Sequence, residues 1–144
     1  MKSLKNLLVM GVVAAGLYLL VGYMVVTDEE KVADIISKGA VAVKEGDLGS
    51  IDEILSQNYD YNGMNRERFL RKAKSTLEKY SPMNLRLMNQ KIDFPTEGEA
   101  VVRFMALTSP QGKSMIPGLT KSFWKIMLEK EGESWLVTGV EPVE

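Results

Sequence analysis

Neither cysteine nor histidine occurs in this chain of 144 residues, and each absence removes a class of chemistry. Without thiols there are no disulfides, no thiolate metal sites, no cysteine nucleophiles and no lipoprotein-type attachment. Without imidazole there is no Ser-His-Asp triad, no imidazole zinc ligand and no general base that titrates naturally near neutrality. Catalysis, if present, is confined to carboxylates, tyrosine or lysine with perturbed pKa values, or to an acquired metal held by oxygens. No cofactor and no metal site is expected. An excess of positive charge is lacking too: with Lys2 and Lys5 set aside, the 18 basic side chains fall to 16 against 19 acidic ones. That balance gives no global pull toward nucleic acid.

What the chain does have is one long apolar run, Leu7 to Val26, with no acidic or basic side chain in it. At about 1.5 Å rise per residue it makes a helix roughly 30 Å long, the hydrocarbon thickness of a bilayer. Lys2 and Lys5 precede it and Asp28, Glu29 and Glu30 follow it, so the N-terminus is expected in the cytoplasm and the remainder outside. The competing reading is a cleaved signal peptide, whose apolar core spans about 7 to 15 residues and ends at a small-residue site. Here Val13-Ala14-Ala15 sits mid-run with ten apolar-rich positions still to come, which favours an uncleaved single-pass anchor. Residues 1–27 are thus read as a transmembrane anchor and 28–144 as one extracytoplasmic domain, periplasmic if the source is bacterial.

Thr27-Asp28-Glu29-Glu30 reads as a capping box opening a helix that carries Val32, Ile35, Ile36, Ala40 and Val43 on one face and stops at Gly46. Ser50 with Glu53 repeats the capping pattern for a short second helix through Ile51, Ile54 and Leu55. Tyr59-Asp60-Tyr61 reads as an extended segment turning at Asn62-Gly63. Asn65 then caps a third helix with Phe69, Leu70, Ala73, Leu77 and Tyr80 inward, ended by Ser81-Pro82. Its other face is basic, through Arg66, Arg68, Arg71, Lys72, Lys74 and Lys79. A solvated helix surface accounts for that face, and an anionic partner or lipid head group is the functional alternative.

From Met83 the period changes to two, and four strands are expected: Asn84–Phe94, Ala100–Thr108, Ser122–Lys130 and Ser134–Val140. The short turns between most of them predict an antiparallel meander. An apolar phase slip between Leu87 and Met88 predicts a bulge that bends the sheet. Val102, Phe104 and Ala106 share one face of the second strand, while Val101, Met105 and Leu107 share the other. Trp124, Ile126 and Leu128 likewise oppose Phe123 and Met127. A sheet apolar on both faces needs both covered, which predicts a homodimer through the sheet. Met115 and Ile116, in the Gly- and Pro-flanked loop from Ser109 to Gly118, are further candidates to touch a partner or cover a pocket.

Three segments, VADIISKGAVAVKEGDLGSIDEIL, YDYNGMNRERFLRKA and the ending FWKIMLEKEGESWLVTGVE, resemble in pattern and order the nuclear transport factor 2-like, or cystatin-like, superfamily. The resemblance covers Asp28 to Val140. It implies an α+β cone in which three helices pack on a curved antiparallel sheet, an apolar pocket at the open end, and frequent homodimers. The superfamily hosts isomerases, dehydratases, cyclases, transport factors and non-catalytic modules, so function must come from the site. Catalytic members usually carry an Asp base with a Tyr or acid donor, or a His-Asp pair, and the latter is impossible here.

Asp60 with Tyr59 or Tyr61 is the pair that could act as base and oxyanion donor in an isomerase-type mechanism; Asp93 reads instead as turn chemistry. Trp124, Met105, Phe104 and Tyr61 are the candidates for an apolar ligand pocket. Six methionines beyond residue 28 would suit a lipid-like or aromatic guest, although core filling is their commoner use. The leading expectation is a membrane-anchored, non-catalytic module that binds a partner protein or small apolar ligand. An isomerase, dehydratase or cyclase is the alternative.

Overall fold

The computed structural model describes residues 26–110 and 120–143. The chain divides into two units at Glu30, and of the first only residues 26–30 are described. Apart from Val26, the apolar run from Leu7 lies outside the described residues, as do Met115 and Ile116. Among the described residues no helix is long and apolar enough to cross a membrane.

Helix α1 spans Asp28–Glu45. At its start the Thr27 hydroxyl accepts from the Glu30 backbone N–H at 3.2 Å, the first half of the expected capping box. At its end Gly46 takes φ of 74°, and the Asp47 and Gly46 amides donate to the Ala42 and Val43 carbonyls at 2.8 and 3.3 Å. These two bonds make a Schellman motif. The tight turn leaves Asp47 directly before α2, Leu48–Ile54, and corrects the expected cap: Asp47, not Ser50, is the N-cap. Ser50 falls in the first turn, where its amide and hydroxyl donate to the Asp47 carboxylate at 3.2 and 2.6 Å.

Beyond α2 the chain runs beside the sheet edge. Leu55 bridges Val137 in parallel, and the Ser56 amide donates to the Val137 carbonyl at 2.9 Å. The expected turn at Asn62 and Gly63, with φ of 53° and 80°, joins strands β1 (Asp60–Tyr61) and β2 (Met64–Asn65) into a short hairpin whose second strand was not expected from the sequence. Two consecutive positive φ angles match a type I′ turn and explain the Asn-Gly choice. Asn65 caps α3, Arg66–Tyr80, its side chain accepting from the Arg68 amide at 2.9 Å. Leu77 is buried and Phe69, Leu70 and Ala73 are half-buried, but Tyr80 is 57 % exposed rather than inward. It sits at the last helical position, where the chain turns off at Ser81, and its ring is covered by the Lys79 ammonium 5.2 Å from the centroid.

Strands β3 (Met83–Thr96), β4 (Glu99–Pro110), β5 (Thr120–Glu131) and β6 (Ser134–Val143) form an antiparallel sheet in that order, the expected meander. All strand ends but the start of β6, which is Ser134 as expected, overrun the predicted ones, because pairing continues into the turns, as in Thr96 with Glu99, and along β6 to Val143 opposite Phe123. The β3 bulge is real but displaced: Leu87 and Met88 stay in register with Ala106 and Met105, and the extra residue lies between Met88 and Lys91. Asn89 carries it at φ of 56°, a conformation asparagine tolerates far better than leucine or methionine. Further register shifts follow Asp93 in β3 and separate Gly139 from Val137 in β6. Such insertions bend strands and increase twist, curving the sheet around the helices.

The core joins Val32, Ile36, Ala42, Ile51, Leu55, Tyr59 and Leu77 from the helical side to Ala100, Val102, Ile126, Leu128, Trp135 and Val137 from the sheet. Each large side chain so buried contributes about 1.5–3 kcal/mol. Trp135, 1 % exposed, also meets the Phe94 ring edge-on at 5.8 Å.

Candidate functional site

Residues directly opposite one another on antiparallel strands share a face, so the pairing register places each pocket candidate. Phe104 pairs with Trp124 on the helix-covered face, where Phe104 packs against the core. The Trp124 indole donates to the Ser122 hydroxyl at 2.9 Å. Met105 is the next residue along β4 and therefore projects from the opposite face, opposite Phe123 and Met88. The structure thus brings Phe104 and Trp124 together and separates Met105 from them.

The Tyr-Asp-Tyr segment reaches β6. Tyr59 is 3 % exposed, its ring 4.9 Å from that of Phe69, and its hydroxyl accepts from the Val140 amide at 3.1 Å. Burial pushes its pKa up, with the Val140 hydrogen bond pulling the other way. The Tyr61 hydroxyl donates to the Glu141 carboxylate at 2.7 Å. That hydrogen bond, reinforced by burial and by the Glu141 charge, raises the Tyr61 pKa. Asp60, between them, faces solvent. Both phenols therefore act first as fasteners between the β1 segment and β6, and Asp60 contacts neither of the groups they hold.

Gly139 makes that fastening possible: a Cβ there would lie 2.7 Å from Met127 Cε and 2.9 Å from Tyr61 Cδ2. Sequence reasoning passed over this glycine, although an isolated Gly inside a strand pattern is the usual sign of close approach. A second missed contact joins Ser56, 1 % exposed, to the end of β5. Its hydroxyl donates to Glu131 at 3.1 Å and accepts from the Asn58 amide at 3.1 Å. Arg66, counted in the basic face, instead pairs with Asp52. Asp93 accepts from Arg103 at 3.4 Å on an exposed stretch of strand rather than in a turn.

An open groove of about 340 Å³ lies where α1 ends beside α3, lined by residues including Glu45, Leu48, Lys74, Leu77 and Pro82. None of the pocket candidates lines it. Among the described residues no cluster of acids could hold a metal, and apart from Tyr59 the one buried residue with a polar side chain is Ser56.

No protein-family model and no curated protein sequence matches the chain. Solved structures do. An NTF-2 like protein of unknown function from Shewanella oneidensis MR-1 superposes with a TM-score of 0.66 at 17 % identity, covering 82 % of this chain and 100 % of that one. A candidate scytalone dehydratase from Novosphingobium aromaticivorans gives 0.65 at 12 % identity, covering 81 % and 85 %. Bd1075 of Bdellovibrio bacteriovorus gives 0.64 at 13 % identity over 82 % of this chain, which spans only 43 % of that longer one. Identities this low speak for architecture alone, and the three helices on a curved four-stranded meander have the nuclear transport factor 2-like, or cystatin-like, α+β fold.

Proposed function

We propose that this protein is a membrane-anchored, extracytoplasmic binding or interaction module without catalytic activity, held by Leu7–Val26 and engaging a partner protein or small apolar ligand. The observation that carries the non-catalytic part is the filling of the helix-covered side. Among the described residues its buried side chains are apolar apart from Tyr59 and Ser56, the latter bonded to the partly buried Glu131 carboxylate, while Asp60 is solvated and the Tyr61 hydroxyl is committed to Glu141. Acid–base catalysis needs a carboxylate within hydrogen-bond reach of a bound carbon acid, and Asp60 faces water instead. Similarity in fold to a candidate dehydratase supports the enzyme alternative only at the level of architecture.

The anchor rests on the run length and flanking charges of the sequence. Native mass spectrometry of the full chain extracted in detergent tests the binding function. A co-purifying apolar molecule or protein is the expected result; an unliganded, partnerless chain would overturn it. Asp60→Asn, at an exposed site, should leave any such complex intact, whereas loss of a turnover activity on that change would favour the enzyme.

A further inference from the structure

The sheet face turned away from the helices carries an ordered pattern. Met88, Met105, Phe123 and Val143 are direct cross-strand partners, one from each strand, so they form a single apolar row across the sheet. At about 4.8 Å per strand the row is roughly 14 Å long. Phe123 and Val143 are 48 % and 42 % exposed. On one side the next row is Lys91, Arg103 and Lys125, closed by Glu141 on β6. On the other side Arg86 and Lys121 flank Leu107, with the Lys121 ammonium 5.4 Å from the Phe123 ring. The acids of this region are partly committed, Asp93 to Arg103 and Glu141 to Tyr61.

We infer that this face docks on an anionic phospholipid surface, the apolar row entering the interface between cations that meet lipid phosphates. The inference rests on the proposed tether, which would keep the domain close to a bilayer and make the contact intramolecular in effect. An apolar stripe bordered by Lys and Arg is the pattern of interfacial membrane binding, in which aliphatic stems lie along the apolar layer and charged heads reach the phosphates. The charge arrangement argues for lipid over a second copy. A two-fold axis running along the apolar row would bring the Lys91–Arg103–Lys125 row of one copy against Arg86 and Lys121 of the other, cation against cation. One running along the strands would set Arg103 against Lys125, with Lys91 and Glu141 the one opposite-charge pair in that row.

The test uses the full chain reconstituted into vesicles, carrying Val143→Cys labelled with an environment-sensitive fluorophore; the chain has no other thiol. In phosphatidylcholine–phosphatidylglycerol vesicles at roughly a two-to-one ratio the emission shifts to the blue, is quenched by spin-labelled lipid, and reverts in high salt. Lys91→Gln/Arg103→Gln/Lys125→Gln, which removes the three charges without setting new carboxylates against Asp93 and Glu141, weakens the response about tenfold or more while leaving the melting temperature close to that of the parent. Equal exposure of the label in phosphatidylcholine and mixed vesicles would overturn the proposal. So would protection that depends on protein concentration and not on lipid charge, the signature of a second copy. Flotation with pure phosphatidylcholine vesicles in high salt reads the tether separately: a chain that fails to float there yet binds mixed vesicles in a salt-sensitive way lacks the anchor but keeps the docking face.

Discussion

Two glycines and a tyrosine show how single side chains are constrained here. Gly139→Ala would force the Tyr61 ring off its seat on β6 and with it the bond to Glu141. The expected outcome is a drop in melting temperature together with loss of the Tyr61–Glu141 contact, read by NMR as a changed Tyr61 ring environment. Gly46→Ala meets two obstacles, a φ of 74° and a Ser81 Cβ at 2.9 Å. Left-handed backbone costs a residue with a side chain about 1–2 kcal/mol, so a loss of at least that size is expected in denaturant unfolding.

Tyr61 also makes a pH prediction. Its neutral hydroxyl donates to Glu141, so the folded pKa lies above the ordinary 10.0. The stabilisation is complete below pH 10.0, where the phenol is protonated in both folded and unfolded chain, and is lost as pH rises through the raised folded value. Asp47 works in the opposite direction: hydrogen bonds from Ser50 hold its carboxyl below 3.8, so its contribution is present above that pH and fades as acid protonates the folded form. Tyr61→Phe should remove one step from the alkaline absorbance titration, and Ser50→Ala should move the Asp47 carboxyl resonance to titrate at higher pH.

Among the elements, those with a local signal were legible and those decided by register were not. Thr27, Gly46, the Asn62-Gly63 turn and the Asn65 cap announce themselves through side-chain chemistry acting within four residues, and each stands where expected. The α2 cap is not decided by local chemistry, because Asp47 and Ser50 are both good caps. Only the Schellman turn at Gly46 fixes which one precedes the first helical residue. The bulge was legible as a phase slip, but its site was not. Apolar phase reports that a residue is extra, whereas backbone tolerance selects Asn89. Asn89→Val should therefore destabilise the sheet by about 1–2 kcal/mol while Asn89→Gly is tolerated, a contrast visible in paired thermal melts. Asn65→Ala should cost about 1 kcal/mol through the lost cap on α3.

For the whole molecule, alternation in β4 and β5 predicted a sheet apolar on both faces, and pairing across β3 to β6 resolved one of them into an apolar row between cations. That row was invisible in any one strand because its members are 88, 105, 123 and 143, brought level only by the meander. The pocket set divided for the same reason: Phe104 and Met105 are neighbours in sequence and on opposite faces in space. The tyrosines flanking Asp60 suggested chemistry by composition, while their partners on β6, which give them a fastening role, lie about 80 residues away. Trp135 ties the sheet to its cover, and Trp135→Ala should cost about 3–5 kcal/mol, enough to leave a marginal domain largely unfolded.

The tethered location is read most directly from the full chain expressed in a Gram-negative host, by alkaline carbonate extraction of membranes combined with protease treatment of spheroplasts. If the domain stays in the carbonate-resistant pellet and is digested from outside, Leu7–Val26 spans the bilayer and residues 28–144 lie beyond it. Release of the intact chain by carbonate, or its protection from external protease, would contradict the anchored, extracytoplasmic module.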